Sequence, residues 1–267
     1  MCLILFAWRN HPRYDLIVAA NRDEFHERPS AAAEPWEEAP HVLAGRDLRS
    51  GGTWLGISTR GRFAAVTNYR DPDSLKTGAP SRGTLVSEFL LGFEPPGAYL
   101  DRIAPSADRY NGFNLLVGDR DSLHYYSNRC RRQELKTGLY GLSNRLLDAD
   151  WEKVTGGKRD FAGVLVGKEP DVEDIFQVLA DRRPAPDDRL PDTGVGIEWE
   201  RLLSSRFIAS PQYGTRSSTL VLVEGNGRIR FVERSFDAQG QPWMTVDLAA
   251  EIAGPAVGGK GKGRVSS

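Results

Sequence analysis

The sequence predicts two mainly antiparallel β-sheets packed together with helices outside, an α/β sandwich. Three observations lead there. Strand-like and helix-like runs come in blocks: strands, two helices, strands, two helices, strands. Successive β-runs are joined by short polar turns, the mark of antiparallel hairpins. No internal repeat or composition break divides the 267 residues, so residues 1–253 read as a single domain.

Taken in order, residues 2–8 and 14–20 are apolar β-runs joined by Arg9-Asn10-His11-Pro12-Arg13, a first hairpin. The second run ends in Asn21-Arg22-Asp23-Glu24, and simple register sets this cluster beside the start of the first strand. Residues 28–45, with Pro29, Pro35 and Pro40, read as a long irregular loop. Ser50-Gly51-Gly52-Thr53-Trp54 then leads into a second hairpin that ends at Asn68, with its turn at Arg60-Gly61-Arg62. From Ser81, a plausible N-cap, apolar residues take helical spacing, and Pro96–Ile103 reads as a second helix. Phe113–Gly118 and Leu123–Ser127 are strands, and residues 138–144 form a short strand ending at Asn144. Helices follow over 151–165 and 172–180; residues 182–196 are irregular and 199–204 a short helix. Residues 213–223 and 228–233 make a final hairpin. The Gly/Lys/Ser-rich stretch 254–267 reads as a disordered tail.

Composition narrows the function. With 35 basic and 36 acidic residues the formal charge is −1, so no one-signed field marks a nucleic-acid or anionic-membrane binder. Two distant cysteines, Cys2 and Cys130, exclude a disulfide framework and point to a reducing compartment such as the cytoplasm. The apolar N-terminus is too short for a transmembrane segment, and no secretory signal is completed. His11, His26, His41 and His124 lie in no metal-ligand spacing, and no glycine-rich phosphate loop occurs, so no metal or cofactor is indicated.

The chemistry gathers at the start of the chain. Removal of Met1 would give Cys2 both a thiol and a free α-amine, with reference pKa values of about 8.5 and 7.7–8.0, so one residue supplies a nucleophile and its base. The ordinary alternative is a small buried hydrophobe at a strand start. Arg22 beside the thiol would lower its pKa, and Asp23 would hold the α-ammonium; a solvated strand end is the plainer reading. Asn68, Asn144 and Arg216 also stand at strand ends that can face one site. Arg70 and Arg82 are candidates for recognising an anion. Cys130, set among Arg129, Arg131 and Arg132, reads as a lone partly exposed thiol.

The Asn21-Arg22-Asp23-Glu24 tetrad resembles the signature of the NRDE-motif family, which includes the transport-and-Golgi-organisation proteins. Ser50-Gly51-Gly52-Thr53-Trp54-Leu55-Gly56, Thr67-Asn68-Tyr69-Arg70, Arg82-Gly83, Tyr110-Asn111-Gly112-Phe113-Asn114, Gly141-Leu142-Ser143-Asn144 and Tyr213-Gly214-Thr215-Arg216-Ser217-Ser218-Thr219 extend the resemblance to about residue 235. The family looks like a branch of the N-terminal-nucleophile hydrolases, which implies an α+β, four-layer αββα sandwich of two mainly antiparallel sheets. Similarity to the cysteine amidases of that superfamily implies Cys2 as nucleophile and its amine as base. It also implies that Asn68 binds the oxyanion, that Asn144 orients the amine and that Arg216 sits near the thiolate. Those amidases end the second strand in Arg-Asn-x-Asp. Here either Arg22 and Asp23 fill the same space by a register shift, or the polar set differs. The wider family is linked to haem mobilisation and acyl-CoA handling. That implies a second class, a non-catalytic carrier for an amphipathic ligand, with Cys2 or His11 as candidate iron ligands and Asn21, Arg70 or Arg82 contacting the ligand.

Overall fold

The computed structural model describes residues 3–167 and 169–253. The expected tail at 254–267 lies outside the described residues.

One six-stranded sheet is built around β1 (Leu3–Trp8) and β2 (Tyr14–Phe25), which pair antiparallel with Leu3 opposite Asn21. On its other side β1 meets β10 (Gly138–Leu142), with Ile4 opposite Leu142. Beyond β2 lie β11 (Tyr213–Glu224), β12 (Arg228–Phe236) and β13 (Pro242–Glu251). The seven-stranded sheet follows chain order: β3 (Ser30–Trp36), β4 (Ala39–Asp47), β5 (Leu55–Ser58), β6 (Phe63–Asn68), β7 (Phe113–Gly118), β8 (Leu123–Ser127) and β9 (Cys130–Glu134). Every strand pairing in both sheets is antiparallel.

Three apolar layers hold the sandwich together, and β1 shows why its sequence is apolar throughout. Side chains alternate across a strand, so a strand covered on both faces must be apolar at every position. Ile4, Phe6 and Trp8 enter the core between the sheets with Leu55, Ile57 and Phe63. Leu3, Leu5 and Ala7 point the other way, onto Val154 and Phe161 of α3 (Glu152–Val164) and Ile175 of α4 (Val172–Leu179). Each such large apolar side chain contributes about 1.5–3 kcal/mol when fully buried. On the opposite side, α1 (Gly83–Leu91) and α2 (Pro96–Ile103) bury Phe89, Leu90, Tyr99 and Leu100 against Val66 and Leu115. The order of layers is helix, sheet, sheet, helix: the four-layer αββα sandwich. A fifth helix, α5 (Ile197–Ser204), follows the irregular 182–196 segment, whose one regular piece is a 3-10 turn at Asp187–Arg189.

The structure corrects four local expectations. Residues 28–45 are not a loop but the β3–β4 hairpin; Pro35 is tolerated because β3 is a sheet edge with register shifts at Ala31/Glu34 and Pro35/Trp36. β2 does not stop before the tetrad: β11 supplies a partner as far as Phe25. β9 and β13 were also unanticipated. β13 is an edge strand with no fully buried position: Met244, Val246, Leu248 and Ala250 form a half-buried face, of which Leu248 and Ala250 pack on the inter-sheet core.

Candidate active site

The tetrad is divided between the two faces of β2 by the same alternation. Asn21 and Asp23 face α4; Arg22 and Glu24 face the space between the sheets. Asn21 is fully buried, and its Nδ2 donates to Leu179 O at 2.9 Å and Arg206 O at 2.7 Å, while its Oδ1 accepts from Ser218 Oγ at 2.6 Å. These bonds fasten β2 to the helical layer, which is where the structure places Asn21 instead of against a ligand. Asp23 is buried and its Oδ1 accepts from Thr215 Oγ1 at 2.7 Å.

Arg22 is the distinctive member. It is 4% exposed, its guanidinium lies 4.3 Å over the Trp54 ring, and its Nη1 has no hydrogen-bond partner among the described residues. Burial pulls its proton affinity below the usual arginine value, with Glu24 and Asp47 working in the opposite direction. A buried, unpartnered guanidinium N–H is uncommon enough to call for a ligand or solvent partner. It lines a cleft of about 250 Å³ with Trp54, Asn68, Ser81, Arg82 and Gly83. Glu24, Arg28 and Asp47 line the same cleft, but Arg28 is committed: its Nη2 lies 2.6 Å from Asp47 Oδ2. Burial opposes ionisation of Asp47, yet the Arg28 and backbone hydrogen bonds outweigh it and hold the carboxyl below the usual range.

Backbone packing forms the rim of the cleft. At Gly52 an added Cβ would lie 2.5 Å from Gly83 C and 2.7 Å from Gly83 O, so only glycine lets the β4–β5 loop press against the start of α1. Gly51 is needed for its φ of +75°, with open space around it. Ser81 Oγ accepts from Gly83 N at 3.3 Å, although Arg82 is the capping residue, one later than expected. Arg82 lines the cleft, and its Nη1 donates to Gly112 O at 3.1 Å.

Asn68 ends β6 with its side chain exposed, and its carbonyl accepts from Asn144 Nδ2 at 3.0 Å. Asn144 is buried, its carbonyl accepts from Arg70 N at 2.8 Å, and its Oδ1 receives Arg70 Nη2 at 3.4 Å. Arg70 does not line the cleft. It forms a buried ion pair with Glu200 at 2.6 Å and stacks 5.0 Å from the Trp151 ring, so an internal carboxylate takes the place expected for an anionic ligand. Arg216 lies at a register shift of β11, and its Nη1 donates to Phe25 O at 3.1 Å and His26 O at 2.9 Å. It therefore ties off the turn that follows the tetrad.

Cys2, like Met1, lies outside the described residues. Leu3, its neighbour in the chain, is opposite Asn21. Arg22 and Asn144 stand just past the last residues of β2 and β10 that pair with β1, toward that end of β1. His11 sits in the β1–β2 turn at the opposite end of both strands, so it cannot share a ligand with the tetrad. Cys130 starts the edge strand β9 and is half-buried. A larger open depression, about 960 Å³ in volume, lies beside β12 and β13. Of its two lining arginines, Arg228 and Arg230, the second is ion-paired with Asp247, and no unpartnered buried polar atom faces the depression among the described residues. Among the described residues no cluster of three metal-ligating side chains occurs, and no helix is long and apolar enough to cross a membrane.

Sequence reasoning missed three contributors. Trp54, which carries Arg22, was visible only as part of the Ser-Gly-Gly-Thr-Trp run. Glu233 is fully buried between the sheets, accepting from Ala33 N at 2.8 Å and Thr219 Oγ1 at 3.1 Å. Its signal was parity: a carboxylate in phase with the core residues Ile229 and Phe231. Asn114 carries the same signal, in phase with Leu116.

Comparison with known proteins gives these residues a family. A solved structure, the Caenorhabditis elegans N-acylethanolamine-hydrolyzing acid amidase (NAAA) ortholog, aligns with a TM-score of 0.39 and 12% identity, over 83% of this chain and 92% of that one. The Bos taurus Transport and Golgi organization protein 2 homolog is 40% identical over 88% of this chain and 93% of its own length. The Homo sapiens homolog is 38% identical over 92% and 97%. The Drosophila melanogaster Transport and Golgi organization protein 2 is 30% identical over 88% and 92%. The family model described as Transport and Golgi organisation 2 matches residues 1–238, from the strand that opens the first sheet to just past the end of β12, and the chain belongs to that family.

Proposed function

We propose that the chain is a cysteine hydrolase of the N-terminal-nucleophile type that cleaves a small carbon–nitrogen amide, with Cys2 as nucleophile once Met1 is removed. The observation that carries this reading is the convergence at the leading end of β1. Cys2 directly precedes Leu3 in the sequence. Leu3 lies opposite Asn21, next to a buried guanidinium with an unpartnered N–H and near the linked pair Asn144–Asn68.

In this reading the α-amine takes the thiol proton and the thiolate attacks the amide carbon. Arg22 favours the thiolate by its charge, and Asp23 pairs with the α-ammonium. Asn68 stabilises the oxyanion, a contribution of about 2.7–4 kcal/mol for one donor. Asn144 orients the amine. The ammonium returns its proton to the leaving nitrogen, the C–N bond breaks, and water hydrolyses the thioester. Arg216 supports the tetrad's turn.

One observation favours a second reading, a carrier for an amphipathic ligand. The unpartnered N–H of Arg22, with Arg82 and the start of α1 on the same cleft, suits an anionic group such as an acyl-CoA phosphate or a haem propionate.

Intact-mass spectrometry with brief thiol alkylation separates the two. Absence of Met1, with Cys2 modified much faster than Cys130 near pH 7, supports the hydrolase, and turnover of an amide must then vanish in Cys2→Ala. Retained Met1 or an unreactive Cys2 refutes it. The carrier then requires saturable acyl-CoA or haem binding that weakens in Arg22→Met.

A further inference from the structure

We propose that Asn114 is the positioning residue of this site, acting by setting Asn144; the functional meaning of this step rests on the hydrolase reading. Asn114 is fully buried on β7, at a position in phase with the core residue Leu116. An amide there must be fully partnered, and all its partners lead to one place. Its Nδ2 donates to Arg145 O at 2.8 Å and reaches Ser143 O at 3.3 Å, the carbonyls of the two residues that bracket Asn144. Nδ2 also lies 3.0 Å from Thr67 Oγ1, which donates to Ser143 O at 2.6 Å. Its Oδ1 accepts from Tyr125 OH at 2.8 Å, and that hydroxyl accepts from Leu147 N at 3.2 Å.

The arrangement is more specific than a loop staple. The clasp closes on both sides of the one residue whose side chain crosses to the end of β6 and whose carbonyl receives the Arg70 amide. Asn144 cannot change its backbone orientation while both flanking carbonyls are held. None of the clasping side chains lines the cleft; they reach it through the segment that carries Asn144 and, for Thr67, also through its chain neighbour Asn68.

The test compares the full chain with Asn114→Ser, Thr67→Val and Thr67→Ser by two readouts. The first is hydrogen exchange at the Arg70 amide relative to the β7–β8 amides. The second is the pH profile of Cys2 alkylation. In Asn114→Ser, Arg70 exchange rises about tenfold, the scale of one lost buried hydrogen bond, while β7–β8 protection holds. The Cys2 profile moves toward that of an ordinary thiol, at about 8.5. Thr67→Val shifts both in the same direction by less, and Thr67→Ser, which keeps the hydroxyl, restores them. Should Asn114→Ser fail to fold, Thr67→Val against Thr67→Ser decides. Unchanged Arg70 exchange, or loss of protection spread evenly over β7 and β8, overturns the proposal. A wild-type Cys2 that alkylates like an ordinary thiol refutes the hydrolase reading instead, and the exchange data alone then judge the clasp.

Discussion

Replacing Gly52 by alanine tests whether the cleft is built by backbone contact between the β4–β5 loop and the first turn of α1. The added Cβ would sit 2.5 Å from Gly83 C, 2.7 Å from Gly83 O and 2.9 Å from Thr84 N. Ordinary carbon contacts begin near about 3.5 Å, so the two segments must part by about 1 Å. All three clashing atoms are backbone, and no side chain can swing aside. Over-packing of this kind costs about 1–3 kcal/mol. Separation also breaks the Thr53 N–H to Gly83 O bond, 3.3 Å long, which adds about 0.5–1.5 kcal/mol. The sum is centred on about 3 kcal/mol, and at about 3 °C per kcal/mol the Tm falls by about 9 °C. Gly51 supplies the control, because it needs a positive φ and has open space. Gly51→Asn, a residue that tolerates the left-handed region, loses less than about 1 kcal/mol. Urea unfolding of both variants is the assay. A Gly52→Ala protein within about 0.5 kcal/mol of wild type, or no worse than Gly51→Asn, refutes the argument.

Two further outcomes follow from buried charge. Burial raises the Glu233 carboxyl above its ordinary range, so the unfolded chain ionises first and stability falls as pH rises above about 4.3 toward the raised value, by at most about 1.4 kcal/mol per pH unit. Glu233→Gln removes that slope, and parallel pH-stability curves for the two proteins would contradict the assignment. Arg70→Met leaves the Glu200 carboxylate, 3% exposed and still accepting from Thr193, without its cation and costs about 3–5 kcal/mol, whereas Arg70→Met with Glu200→Leu recovers part of it in a double-mutant cycle.

The architecture was legible because β1 and the core-facing helices carry strong periodicity, and because the hairpin register follows from two short apolar runs. The placement of Arg70 was not: its commitment to Glu200 joins residues 130 positions apart, and nothing local to either marks the pair. The tetrad was legible as a cluster but not as two opposed faces. Its division depends on β2 continuing as strand to Phe25, which only the pairing with β11 decides. Prolines concealed β3 because the sequence does not say which strand will be an edge.

The order of strands in the two sheets sets a timetable for biosynthesis. β3 to β9 neighbour one another in chain order, so the seven-stranded sheet can close as residues 30–134 emerge from the ribosome. The β1–β2 hairpin is made first yet waits long for its partner: the start of β11 at Tyr213 comes 188 positions after the end of β2 at Phe25. At about 5–20 residues per second that interval lasts about 10–40 s, with the β11-facing edge of the hairpin open to mispairing. Substitutions that slow the docking of β11 therefore reduce how many molecules mature, while each molecule that does mature keeps its tetrad in place.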